Sequence, residues 1–289
     1  MSNSYQRNTI CRQCINRKFD SAVGLLCGYT GSKPDFSDHC QFFESDQVVA
    51  AKSVILAKPN SRRAKTAMLM VSLVMFINLI KITSLFFQYQ LLAMVKAGEA
   101  VTEKMAASND IRQLIVDLLF ILIFLISAVT FIMWFRRAYF NMHKRIRSGN
   151  FTEGWAAGSW FVPVLCFFRP FQIMREMWRE SASLLVLRAD NMSFMKSRYL
   201  LGIWWTFWIL ASFVGSIADK LSNDNQTIDQ WMDYTLATMI LAFLYIPLSL
   251  ITLKVISVYN QMESALAESD EIVPANASEK VTEPVEIAV

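Results

Sequence analysis

Four of the five cysteines fall in the first forty residues, as Cys11, Cys14, Cys27 and Cys40, spaced C-x2-C-x12-C-x12-C. Two thiolates separated by two residues can share one tight knuckle and bind an ion about 2.3 Å from each sulfur, and two further thiolates complete a tetrahedron. Closed coordination of this kind is structural, with zinc as the expected ion. Gly24, Gly28, Gly31 and Pro34 supply the turn residues that so short a segment needs to wrap an ion. A module this small builds too little core to fold alone, so the metal would supply its folding free energy. Two disulfides, an iron-sulfur centre and redox-active thiols are the other readings of the same spacing. His39 adjoins Cys40, but neighbours on one strand point opposite ways, which leaves Cys40 as the expected ligand. Arg12, Arg17, Lys18 and Lys33 would offset the charge of a four-thiolate centre.

A second chemical signal is Lys81, with Asn78 one turn earlier, in the middle of an apolar run. An isolated ammonium at bilayer depth costs a few kcal/mol at least, so it requires a partner or water. At the helical rise, Lys81 lies about 12 Å inward from Tyr89, and Asp117 about 8 Å inward from Arg112 on the next apolar run. A lysine stem can close that difference. A Lys81 to Asp117 ion pair is therefore expected, with Asn78 as its third member, acting as a staple between helices or as part of a polar cavity or ion path.

These residues sit in a chain of 289 residues with 54% hydrophobic and 18% charged side chains and a mean hydropathy of +0.32. That balance excludes an ordinary water-soluble single-domain enzyme. The apolar residues concentrate in four blocks, about 66–92, 114–135, 199–218 and 232–258, each long enough to cross a hydrocarbon core of roughly 30 Å as a helix. Of the lysines and arginines flanking the blocks, fifteen fall on one side and only Lys96, Lys104, Arg112 and Lys220 on the other. The positive-inside rule then places both termini, and the cysteines with them, in the cytosol, where persistent disulfides are disfavoured. The polar opening residues are not a cleavable signal peptide. The expected organisation is a cysteine module at 1–46, a basic linker at 47–65, a four-span domain at 66–262 and an acidic tail at 263–289. The tail holds seven carboxylates against Lys280 alone, a composition that favours disorder. Cations on the inner side would be drawn to acidic lipid headgroups.

Between the second and third blocks lies the segment 154–187. Its apolar run from Trp155 to Phe168 is too short to span and is interrupted by Pro163, which points to a re-entrant or interfacial element closed by Arg169 and Pro170. Gly154 and Gly158 would allow a helix to approach closely, and Trp155, Trp160 and Trp178 suit headgroup depth. After Pro170, the residues Ile173, Met174, Met177, Trp178, Leu184 and Leu185 form the stripe of an amphipathic helix lying on the membrane or packed on the bundle. The overall expectation is an all-α membrane protein of four transmembrane helices, a re-entrant or interfacial amphipathic segment, and a small N-terminal zinc module.

The Gly-Trp, Trp-Phe-Val-Pro and Arg-Pro steps at Gly154, Trp155, Trp160, Phe161, Pro163, Arg169 and Pro170, with Met-Arg-Glu-Met-Trp after them, resemble a family of bacterial multipass membrane proteins classed as a domain of unknown function. The resemblance covers about 66–262 and implies a bacterial cytoplasmic membrane; family members often carry Asn where Cys166 stands. The CRQC, KFD, GLLCGYTG and KPDF steps likewise resemble a short cysteine module found ahead of bacterial membrane domains. Neither resemblance implies a catalytic residue. The chain has no Gly-rich phosphate loop, no HExxH and only His39 and His143, so neither an NTPase nor a histidine-rich metalloenzyme is supported. No long basic helix or aromatic platform accompanies the cysteines, so nucleic acid is not an expected partner. The reading that results is a non-enzymatic regulator or adaptor that displays a cytosolic zinc module to a protein partner. A small transporter using Lys81 and Asp117, or an enzyme acting on a lipid headgroup near Arg169, are the alternatives.

Overall fold

The computed structural model describes residues 10–11, 14–20, 23–36, 39–44, 57–146, 149–189, 199–223 and 227–279. Arg12, the linker residues 47–56 and the tail residues 280–289 lie outside them. Strands β1 (Arg17–Asp20) and β2 (Gly24–Cys27) pair antiparallel, with Arg17 opposite Cys27 and Asp20 opposite Gly24. The Val23 N–H donates to Asp20 Oδ1 at 3.0 Å across the turn, and Gly24 has a φ of +91°, a conformation that side chains resist.

Four long helices follow. They are α1 (Ser61–Lys96), α2 (Glu103–Arg145), α5 (Tyr199–Asn223) and α6 (Ile228–Glu279), each long and apolar enough to cross a bilayer. Between α2 and α5 come a single turn, α3 (Trp155–Gly158), a 3-10 turn (Leu165–Phe167) and the amphipathic α4 (Arg169–Ala189). Helix α1 stops at Gly98, whose φ is +77°. Helix α2 starts at Thr102, whose hydroxyl accepts the Met105 N–H at 3.3 Å, and ends on Lys144 and Arg145, cations that complement the helix dipole.

All four helices reach or overrun the ends of their apolar blocks, and α6 does so most. At 52 residues it is about 78 Å long, more than twice the hydrocarbon thickness. Within the segment 263–289, expected as a disordered tail, the chain is helical through Glu279, and 280–289 lie outside the described residues. The reason is an inward stripe at helical spacing, Val255, Ile256, Tyr259, Met262 and Leu266, all buried.

Helix α1 packs on both α2 and α6, and α5 packs on α6, whereas α2 and α5 share no comparable contact. The four helices thus form a curled row in the order α2, α1, α6, α5. The densest core lies toward one end of this row. There α4 closes over α2 and α6, burying Ile173, Met174, Met177 and Leu185 against Phe135, Tyr139, Tyr259 and Met262. The α4 stripe is accordingly covered by protein and not by lipid, and Trp178, expected at headgroup depth, is 2% exposed. The close helix approach expected at Gly154 and Gly158 is likewise absent, since a methyl group built on either would meet no atom within 4 Å.

Candidate functional site

The cysteine module is assembled by three backbone turns. Cys14 N–H donates to the Cys11 carbonyl at 3.2 Å, Gly31 N–H to the Cys27 carbonyl at 2.8 Å, and Phe43 N–H to the Cys40 carbonyl at 3.0 Å. The segment after Cys40 is drawn back onto the first knuckle. Ile15 N–H donates to the Glu44 carbonyl at 2.9 Å, Asn16 Nδ2 to the Phe42 carbonyl at 2.9 Å, and the Cys14 thiol faces the same carbonyl at 3.8 Å. Gly28 crosses Asn16 so closely that a Cβ there would sit 2.5 Å from its carbonyl oxygen, which restricts the position to glycine.

All five cysteines are free thiols. Burial pushes the Cys11 thiol up to about 11, helped by the negative charges that Cys40, Cys14 and Cys27 would carry. Cys27 moves the other way. Burial opposes its ionisation, but hydrogen bonds from the Thr30 and Tyr29 backbone and the Thr30 hydroxyl outweigh it and lower its pKa. The four thiols are thus near enough to feel one another, yet among the described residues no group of three or more His, Cys, Asp or Glu side chains is gathered tightly enough to hold an ion as it stands. Mutual charge acts over several ångströms more than a coordination bond, so the thiols influence one another without being gathered at ligand distance.

In the membrane domain, Lys81 Nζ lies 2.8 Å from Asp117 Oδ1, with the lysine 13% and the aspartate 43% exposed. The ammonium also sits 4.6 Å from the centre of the Phe120 ring. Asn78 does not join them. It donates to the Val74 carbonyl of its own helix at 2.7 Å. Nearer the end of α1, Arg112 donates to Ser84 Oγ at 3.1 Å and to the Ser84 carbonyl at 3.3 Å, and Gln113 Nε2 donates to that carbonyl at 3.0 Å, a second tie between α1 and α2. Lys81→Met should lower the stability of the membrane domain by about 2–3 kcal/mol by leaving a carboxylate unpaired in an apolar medium. Exchanging the two charges should restore most of it. Unfolding midpoints in detergent test both.

In the interfacial segment, Trp155 is 36% exposed, but Trp160 turns inward among Phe131, Phe135, Trp205 and Trp208. The residues after it dip alongside α5: the Phe167 carbonyl accepts from Trp205 Nε1 at 3.0 Å. Phe161, Val164 and Phe167 project outward at 75%, 68% and 49% exposure. Val164 follows Pro163 at a φ of +66°, and Leu165 N–H reaches back to the Pro163 carbonyl at 2.8 Å, closing a tight and strained three-residue turn. Arg169 stacks over Phe151, its Cζ 4.4 Å from the ring centre, and beside Trp155 and Phe168, while Pro170 is buried in the first turn of α4.

A buried polar junction at the α4-covered end escaped the sequence. Glu263 accepts from Asn60 Nδ2 at 2.9 Å and also from Asn141. Asn141 in turn accepts the Lys58 N–H at 2.9 Å. Arg145 and Asp270, each 4% exposed, pair at 2.8 Å. Tyr139 donates to Glu176 at 3.1 Å. The one signal in the sequence was that Glu263 and Asp270 fall on the helical repeat of Tyr259 and Leu266.

The fold and these features define an all-α integral membrane protein of four spanning helices with a re-entrant or interfacial segment between the second and third. Residues 97–261 match the domain of unknown function DUF4328, and the chain belongs to that family. The matched region begins after α1, so the first spanning helix and the cysteine module lie outside it. No curated protein and no solved structure matches the chain.

Proposed function

We propose that this protein is a non-enzymatic regulator or adaptor of the bacterial cytoplasmic membrane, carrying a structural zinc module on its cytosolic face for contact with a protein partner. The observation that carries the reading is the C-x2-C-x12-C-x12-C spacing of Cys11, Cys14, Cys27 and Cys40, with the chain after Cys40 hydrogen-bonded back onto Ile15 and Asn16 beside the first pair. All four donors are thiols, the set that suits a closed tetrahedral zinc site. The fifteen basic residues on the inner side of the spans support cytosolic termini and attraction to anionic lipids.

When bound, zinc would hold the CxxC knuckle, the end of β2 and the segment around Cys40 together. The protein's own part is to supply the donors, to bring the chain after Cys40 back through Ile15 and Asn16, and to present Arg17 and Lys18 beside the thiols. Purified protein should contain one zinc per chain, and Cys11→Ser with Cys14→Ser should abolish both the metal and the cross-linked partner while helicity is retained. Metal-free variants that keep the partner would defeat the adaptor reading.

The direction of the Cys11 shift sets a pH dependence. Metal binding must displace the thiol protons, and the burial that pushes Cys11 up makes its proton harder to release. Zinc affinity should therefore rise with pH, by about tenfold per unit for each proton released. Calorimetric titrations in buffers of different ionisation heat measure that proton count. The Lys81 to Asp117 pair supports a second reading, a small transporter, for which solute flux in liposomes should vanish with Lys81→Met.

A further inference from the structure

A cleft of about 280 Å³ lies between the spanning helices, lined by Val71 and Val74 of α1, Phe124 to Ile132 of α2, Trp204 and Trp208 of α5, and Tyr245 to Thr252 of α6, with Trp160 at one end. Its two walls, α2 and α5, do not pack on each other to any comparable extent, so the cleft faces sideways, where the surrounding solvent is hydrocarbon. From Ile132 to Phe124 it runs about 12 Å along α2.

We propose that this cleft holds one acyl chain of a membrane phospholipid, with the chain's ester carbonyl accepting a hydrogen bond from Trp160 Nε1. Three observations converge on this occupant. The lining is aromatic and aliphatic, with polarity only from hydroxyls and indole N–H groups, of which Thr252 is already engaged by Trp204 Nε1 at 3.0 Å and by the Leu248 carbonyl at 2.7 Å. The size fits a chain: an apolar cavity of about 150 Å³ takes a benzene ring, so this one takes part of a single chain, whereas a helix about 10 Å across does not enter. Finally, Trp160 lines the cleft while its Nε1 is closed off without a partner; a buried indole N–H ordinarily has an acceptor, and a small turn of the ring toward the cleft would supply one.

Trp160 also sits where an ester belongs. It packs on Phe131 and Phe135 at 5.6 and 6.0 Å between ring centres, the last turns of α2 before Arg136 and Arg137, so it lies at the boundary between headgroups and hydrocarbon. The exposed Phe161 and Val164 that follow it continue that apolar surface outward. An ester oxygen at Trp160 would leave its chain pointing inward past Phe131 and Trp208 toward Tyr245. This inference stands apart from the zinc module and does not depend on it.

The test uses the full chain in nanodiscs of equimolar phosphatidylethanolamine and phosphatidylglycerol, released into mild detergent and weighed by native mass spectrometry. The wild-type protein should retain one phospholipid. Ser249→Phe on α6 and Ala128→Leu on α2, which fill the cleft from opposite walls, should each cut retention about tenfold with helicity unchanged, and Trp160→Phe should weaken it by a smaller factor. Should both filling variants misfold, titrating wild-type nanodiscs with chain-brominated phosphatidylcholine decides. Tryptophan quenching with a saturable phase at low mole fraction supports a held chain, and quenching strictly proportional to mole fraction overturns it. Retention of free fatty acid or detergent alone, or equal retention by wild-type and folded filling variants, also overturns it.

Discussion

Removal of the proposed zinc by a chelator should unfold the cysteine module while leaving the membrane helices in place. Structural zinc contributes on the order of 10–16 kcal/mol in modules of this size, and no other term available to the hairpin approaches it. β1 and β2 contribute four residues each, and two such strands are marginal in water by themselves. Burial first, and the neighbouring sulfurs second, make the Cys11 thiol hard to ionise, a cost that a bound cation would offset. Limited proteolysis, with and without chelator, should show new cleavage confined to residues 1–46, reversed by added zinc. Cys11→Ser should reproduce the chelated pattern. A cleavage pattern indifferent to chelator would remove the metal assignment, whatever the membrane domain does.

Asp270→Ala should cost about 3–5 kcal/mol, because it leaves Arg145 as an uncompensated charge in a buried site. Arg145 and Asp270 are each only 4% exposed and pair at 2.8 Å, so water cannot readily replace the lost partner. The double change Arg145→Met with Asp270→Leu should recover most of that loss, since an apolar pair of similar volume often matches a buried ion pair. Glu263→Ala should behave as a milder relative, since the Asn60 and Asn141 amides each lose one acceptor but keep a backbone carbonyl, at Trp134 and Lys58, and no charge is stranded. Thermal unfolding in detergent measures all three. If Asp270→Ala proved neutral, the extension of α6 beyond the membrane would not be packed against α2 as described.

The residues behind these two expectations were unequally legible. The cysteine spacing is visible without any structure, because Cys11 and Cys14 are local to one turn and the turn glycines Gly24, Gly28 and Gly31 sit between Cys14 and Cys40. Lys81 and Asp117 are nearly as readable: helical rise alone puts them at matching depth on consecutive spans, and they lie 2.8 Å apart. Asp270 was misread for a definite reason. Composition treats an acidic stretch as solvated, whereas the one stripe of α6 that matters carries Tyr259, Met262 and Leu266 inward and takes Glu263 and Asp270 with it. Their partners lie more than a hundred residues away in the chain, and no local pattern announces them.

The stripe on α4 draws the same line. Its period, its start at Pro170 and its charged outer face follow from the order of side chains, and so do the four apolar blocks and the side on which their cations collect. Whether Ile173, Met174 and Met177 meet lipid or protein does not, because an apolar stripe is equally satisfied by either. Burial against Tyr139 and Met262 settles that, and it also creates the junction around Glu176. Local periodicity and hydropathy determine which segments become helices and where they cross; long-range packing alone determines which of their polar groups meet, since hydrogen bonds and ion pairs need an exact partner and hydrophobic contact does not.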